Sequence, residues 1–228
     1  MTRNQLIIVA VAIVVIIVAG VVYFANPFSS STADAIPETA TAGPGFTITA
    51  DDRTMGSPKA PITIIEYAAP TCPHCAHFDE NVFPVLKANY IDTGKVYYVF
   101  RVFPLHPSDG AVEAMARCQP VDQYFPFIDF MFKNQAQWDW ENGVTDIHGA
   151  LVKMGRLTGM SDDKVDSCIA DKAMQERINK VASDGQTRYS INSTPTFVID
   201  GVVHEVGDVI TPTDLQATLD GILAKKKK

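Results

Sequence analysis

A short apolar strand that runs into a C-x-x-C pair constrains this chain more than any other stretch. Ile62–Tyr67 (ITIIEY) is β-branched and brief, the pattern of a buried strand. The turn AAPT follows, then Cys72–Pro73–His74–Cys75, then a helical pattern with Phe78, Val82, Val85 and Leu86 on one face. Pro84 removes a backbone donor and should kink that helix. Lys95–Phe103 (KVYYVFRVF) reads as a second strand, closed by Pro104. The result is a βαβ unit with both cysteines at the helix N-terminus.

The next stretch has a different texture. Ala111–Cys118, Tyr124–Lys133, Val144–Thr158, Lys164–Ala170 and Met174–Tyr189 show helical spacing, interrupted at Pro120, Gly143 and Gly159. TPTFVIDGVVHEVG then gives two short strands around a turn at Asp200–Gly201, and Thr213–Ala224 gives a last helix. A βαβ…ββα order with helices inserted between its halves is an α/β thioredoxin fold with an inserted helical domain. The expected boundaries are a domain at 51–224, with its insertion at about 105–190.

The placement of the cysteines has a chemical reason. Disulfide exchange needs a thiolate, and a helix N-terminus offers unsatisfied N–H groups and partial positive charge to hold one. Cys72, at the helix start, is the expected nucleophile; Cys75, one turn in, is the resolving partner. His74 adds positive charge when protonated. Such thiolates have pKa values of about 3.5–7.5, against about 8.5 for a free cysteine. Holding the thiolate stabilises the reduced form and makes the disulfide an oxidant. Zinc binding by CPHC with His77 wants four ligands and finds no second cluster. Haem attachment would need His at position 76, which is Ala. No metal or cofactor is expected.

Thr194–Pro195 stands where a strand should begin, and here the chain resembles the DsbA family of periplasmic disulfide oxidoreductases. DRTMGSPKAPITIIEY, TCPHC, VFRVFPLHP and STPTFVIDG carry the resemblance, which extends over roughly Phe46 to Leu223. It implies a cis Pro195 beside the cysteines, shaping a groove in which Thr194 offers backbone hydrogen bonds to an extended substrate. It also implies a role for Glu66, since the family has an acidic residue at that spacing near the buried side of the pair. A carboxylate in an apolar strand is costly unless it works. The expected partners are reduced secreted or periplasmic proteins and a DsbB-like quinone-linked membrane protein as reoxidant. His106 is expected to be structural, and His148 and His204 to lie at the surface.

Leu6–Ala25 is a run of twenty residues without charge, enough to span a bilayer, and no small-residue cleavage site follows it closely. Residues 1–25 are therefore expected to be a single uncleaved transmembrane helix, with the body in the periplasm or outside the cell. Residues 26–50, rich in Pro, Ser, Thr, Ala and Gly, read as a linker, and 225–228 as a lysine tail. Net charge is −7, and without Arg3 and the four terminal lysines the body is more acidic still, which argues against nucleic-acid binding. Once Cys72 and Cys75 are paired, Cys118 and Cys168 remain as candidates for a structural disulfide, with two buried free thiols as the alternative.

The reading is a monomeric oxidase. A tethered reductase usually has Trp before its first cysteine, where this chain has Thr71, and no segment here builds the dimerisation domain of an isomerase. A surface-exposed binding protein on an idle thioredoxin fold would have no need of an intact CPHC.

Overall fold

A computed structural model describes residues 40–42, 46–204 and 206–226. The anchor expected at 1–25 lies outside the described residues. Among them, no helix is long and apolar enough to cross a membrane.

Five strands form the central sheet in the order β3-β5-β4-β6-β7. They are β3 (Arg53–Met55), β4 (Ile62–Ala68), β5 (Val96–Val102), β6 (Thr196–Ile199) and β7 (Val202–His204). β4 and β5 run parallel, with Glu66 opposite Phe100, and the other three pairings are antiparallel. β4 is buried along its whole length, as its β-branched run requires. Asp200 and Gly201, both at positive φ, turn β6 into β7.

Between β4 and β5 stands helix α1 (Pro73–Asn81). It breaks at Val82, and α2 (Phe83–Leu86) continues into a π turn at Lys87–Ile91. The disruption expected from Pro84 is thus a full break, with the proline in the first turn of α2, where its missing N–H costs nothing. The insertion comprises α3 (Pro107–Arg117), α4 (Tyr124–Lys133), α5 (Gln135–Trp138), α6 (Ile147–Leu157), α7 (Asp162–Ile169) and α8 (Lys172–Tyr189). A last helix, α9 (Pro212–Lys226), closes the chain.

Two corrections follow. Part of the expected linker is ordered: β1 (Ala40–Ala42) pairs antiparallel with β2 (Phe46–Ile48), and Ile48 is fully buried against Tyr67, Tyr97 and Val198. A single apolar residue with a good socket outweighs the polar composition around it. The lysine tail is shorter than expected, because Lys225 and Lys226 belong to α9 and Lys226 pairs with Asp200 at 2.6 Å. Cations in a last turn suit the helix dipole.

Strand alternation sends two sets of side chains to opposite faces. One face packs Ile64, Ala68, Tyr98, Phe100 and Phe197 beneath α1 and against the insertion. The other packs Ile65, Tyr67, Tyr97 and Val99. There α8 comes so close that a Cβ on Gly185 would stand 2.6 Å from the Tyr67 ring. Cys118, at the end of α3, and Cys168, on α7, form a disulfide with Cα atoms 6.2 Å apart, fastening two helices of the insertion.

Candidate active site

Cys72 is the N-cap of α1, in extended backbone conformation, and Pro73 occupies the first helical position. The sulfur is therefore carried at the helix N-terminus, where the first N–H groups have no intrahelical partner. Cys72 is 7% exposed, whereas Cys75, one turn in, is wholly buried. Neither is bonded, so the pair is in its dithiol form.

The two sulfurs are electrostatically unequal. Cys72 is drawn down to about 5, chiefly by a hydrogen bond from Cys75, against the opposing effect of burial, with further help from Thr194 and the N–H groups of Cys75 and His74. Burial first, then the neighbouring Cys72, pushes Cys75 well above its ordinary value. One member is built to ionise and the other to stay protonated.

Thr194 comes from the far end of the sequence. The Cys72 thiol donates to its carbonyl at 3.3 Å, across 122 residues. The Thr194–Pro195 bond is cis, and the Thr194 hydroxyl is buried, leaving it available to an ionised sulfur. Beside these residues runs a groove of about 420 Å³, from His74 past Asn192, Thr194 and Pro195 to Val203 and Val206. His74 lies exposed at its lip, and the part of it that faces the sulfur is its backbone amide.

Beneath α1, Glu66 is 2% exposed and accepts a 2.6 Å hydrogen bond from the Tyr98 hydroxyl. Burial pushes its carboxyl up to about 8 despite that bond, with smaller contributions from Asp79 and Cys72. Its charge also opposes ionisation of Cys75. Glu66 thus lies buried within electrostatic reach of both cysteines.

Two further residues hold the loop before Cys72, and neither was anticipated from sequence. Asp109, fully buried in the first turn of α3, accepts from the Thr71 N–H at 2.7 Å and from those of Leu105 and His106 at 2.9 Å. Gln135 donates from Nε2 to the carbonyls of Pro70 (2.6 Å) and Cys72 (3.1 Å). The insertion is therefore the clamp that positions the cysteine loop. His106–Pro107–Ser108–Asp109 does carry the sequence signature of a helix start, so Asp109 was legible as a cap though not as a clamp. His106 caps α3; His148 pairs with Asp166 at the surface, and His204 lies partly buried beside Asp208.

Known proteins resemble this chain in sequence and in fold. Residues 49–221 match the family model for thioredoxin. A Rickettsia bellii protein named for protein-disulfide oxidoreductase activity is 29% identical over 192 residues, 84% of this chain and 72% of that protein. Its Rickettsia prowazekii counterpart is 31% identical over 70% of this chain, which spans 58% of that protein's length. Among solved structures, α-DsbA1 of Wolbachia pipientis superposes with a TM-score of 0.68 at 32% identity, covering 78% of this chain and 94% of that one.

Proposed function

The chain belongs to the DsbA-like branch of the thioredoxin family and is a thiol–disulfide oxidoreductase, and from that premise we propose that it works as an oxidase, donating a Cys72–Cys75 disulfide to reduced proteins. The asymmetry of the two sulfurs carries this reading. A substrate thiolate attacks Cys72; the S–S bond breaks and its electron pair leaves on Cys75. A second substrate thiolate then attacks the mixed disulfide, and Cys72 leaves as a stabilised thiolate. Because that thiolate is held near pKa 5, the reduced state is favoured and the disulfide is a strong acceptor of electrons.

Substrates would lie extended in the groove beside Pro195, hydrogen-bonded to the backbone at Thr194, the way an added strand binds a sheet edge. His74 on the lip would meet the incoming chain, and Glu66 would govern the proton on Cys75. We place the domain outside the cytoplasm, tethered by Leu6–Ala25, with a DsbB-like quinone-linked membrane protein to restore the disulfide. The Cys118–Cys168 bond supports an oxidising compartment.

The reduction potential of the Cys72–Cys75 pair tests the direction. An oxidase should lie near −120 mV, whereas a value near −270 mV would assign the protein to the reductases.

A further inference from the structure

The chain carries a formal net charge of −7, yet the face of the sheet opposite α1 gathers arginines. Arg177, Lys180, Asp184 and Arg188 recur every three or four residues, so they share one side of α8. Arg101, near the end of β5, stands opposite Tyr67 and donates to its hydroxyl at 3.0 Å. With Thr47 of β2 and Thr49 just beyond it, these side chains line a pocket of about 310 Å³. None of them lines the groove beside Pro195.

Most of the negative charge in the pocket is already committed. Asp52 accepts from Arg101 Nε and Nη2, both at 2.9 Å, and Asp184 pairs with Lys180 at 2.7 Å. Arg177 is half-buried, and Nη2 donates to the Asp51 carbonyl at 2.6 Å, its only hydrogen-bond partner among the described residues. Burial, then the like charge of Arg117, holds this guanidinium below the ordinary arginine value, with Glu113, Asp51 and Asp52 acting the other way. Arg188 is exposed and has no ion-pair partner among the described residues. Of the carboxylates that line the pocket, Asp51 alone remains to offset these two guanidinium groups.

We propose that this pocket binds a phosphate group, with Arg177 and Arg188 as its charged partners and the Thr47 hydroxyl as a further donor. A guanidinium presents paired N–H donors that match phosphate oxygens, and its attraction for an anion grows as water is excluded. A pocket of this volume suits one such group with its substituent, whereas the acidic remainder of the chain repels a polyanion. Two sources carry the chemistry: free phosphate, or the phosphodiester headgroup of an acidic lipid. A lipid would meet the pocket if Leu6–Ala25 tethers the domain, because β2, where the chain enters it, supplies Thr47. The inference does not depend on the oxidase reading.

Calorimetric titration of the full chain in neutral detergent provides the test, at fixed ionic strength with chloride as the background anion. One arm adds inorganic phosphate and the other glycerophosphoglycerol, the headgroup of phosphatidylglycerol. Saturable binding at a single site is expected. Tighter binding of inorganic phosphate supports the pocket with a free phosphate group as its ligand; tighter binding of the diester supports it with a lipid headgroup. Arg188→Gln, at an exposed position, should weaken binding about tenfold, the loss expected when one charged hydrogen-bond partner is removed. Lys172→Gln takes the same charge from the same helix outside the pocket and should leave the affinity unchanged. Absence of saturable binding in both arms would overturn the proposal, as would wild-type affinity in Arg188→Gln. Equal losses in Arg188→Gln and Lys172→Gln would overturn it too, since they would mark attraction by overall charge.

Discussion

The Cys72 sulfur and the Thr194 carbonyl meet at 3.3 Å, although 122 residues separate them in the chain. With Pro73 fixing the start of α1 and Pro195 buried beside the sulfur, this contact joins the two halves of the sheet at the reactive atom.

The Thr194 hydroxyl acts separately from that carbonyl, and removing it should make the Cys72 thiolate less stable. Thr194→Val keeps the shape and the carbonyl but takes away a donor to the thiolate, so the Cys72 pKa should rise from about 5. Each unit of rise is about 1.4 kcal/mol of lost thiolate stabilisation. Titration of thiolate absorbance measures it, and an unchanged curve would show that the N–H groups and Cys75 suffice.

Glu66 makes stability depend on pH in a direction unusual for a carboxylate. Its folded value, about 8, lies above the ordinary 4.5, so the unfolded state gives up this proton first as pH rises. The contribution is fully present below about 4.5 and is lost as pH climbs to 8. Glu66→Gln keeps an acceptor for Tyr98 without the charge. It should therefore be more stable than wild type at pH 9, by up to a few kcal/mol for so buried a group, with the advantage absent at pH 4. Urea denaturation of the oxidised forms at both pH values checks the sign.

Gln135→Ala should leave the carbonyls of Pro70 and Cys72 without their side-chain donor. A loss of about 1–3 kcal/mol is expected for acceptors stranded in a partly buried place. Amide exchange of Thr71, Cys72, His74 and Cys75 should quicken while the far face of the sheet keeps its protection; uniform protection throughout would count against the clamp.

Replacing Cys118 and Cys168 together by Ala opens a loop with a sequence separation of 50. In the chain-entropy account this costs about 4 kcal/mol of stability. The double variant should melt earlier yet oxidise a model peptide at the wild-type rate, since neither residue lines the groove beside Pro195.

How much of this could be read from sequence depended on how local each signal was. ITIIEY, CPHC and KVYYVFRVF carry their own periodicity, and β4, α1 and β5 lie where those patterns place them. The helices of the insertion agree with their patterns to within a few residues. β3 escaped notice because Arg53–Met55 has three residues, no alternation, and takes its order from the edge of β5. Asp109 and Gln135 escaped for another reason: their partners lie 38 and 63 to 65 residues away, and hydrogen bonds of that span leave no spacing to detect. Tyr98 looks like any core aromatic of a strand. Only the parallel register, which sets Glu66 opposite Phe100 on the same face, shows what its hydroxyl reaches.

The distance in sequence between Cys72 and Thr194 also sets a timetable. A chain that emerges N-terminus first can assemble β4, α1 and β5 from neighbouring residues, but β6 and the Thr194 loop arrive only after the whole insertion has been made. Long-range pairings of this kind form late. Until then Cys72 lacks the contribution of Thr194 to holding its sulfur ionised, while Cys118 and Cys168 have both been made. The wall of the groove that Thr194 and Pro195 supply is thus completed only after both cysteines of the insertion have been made.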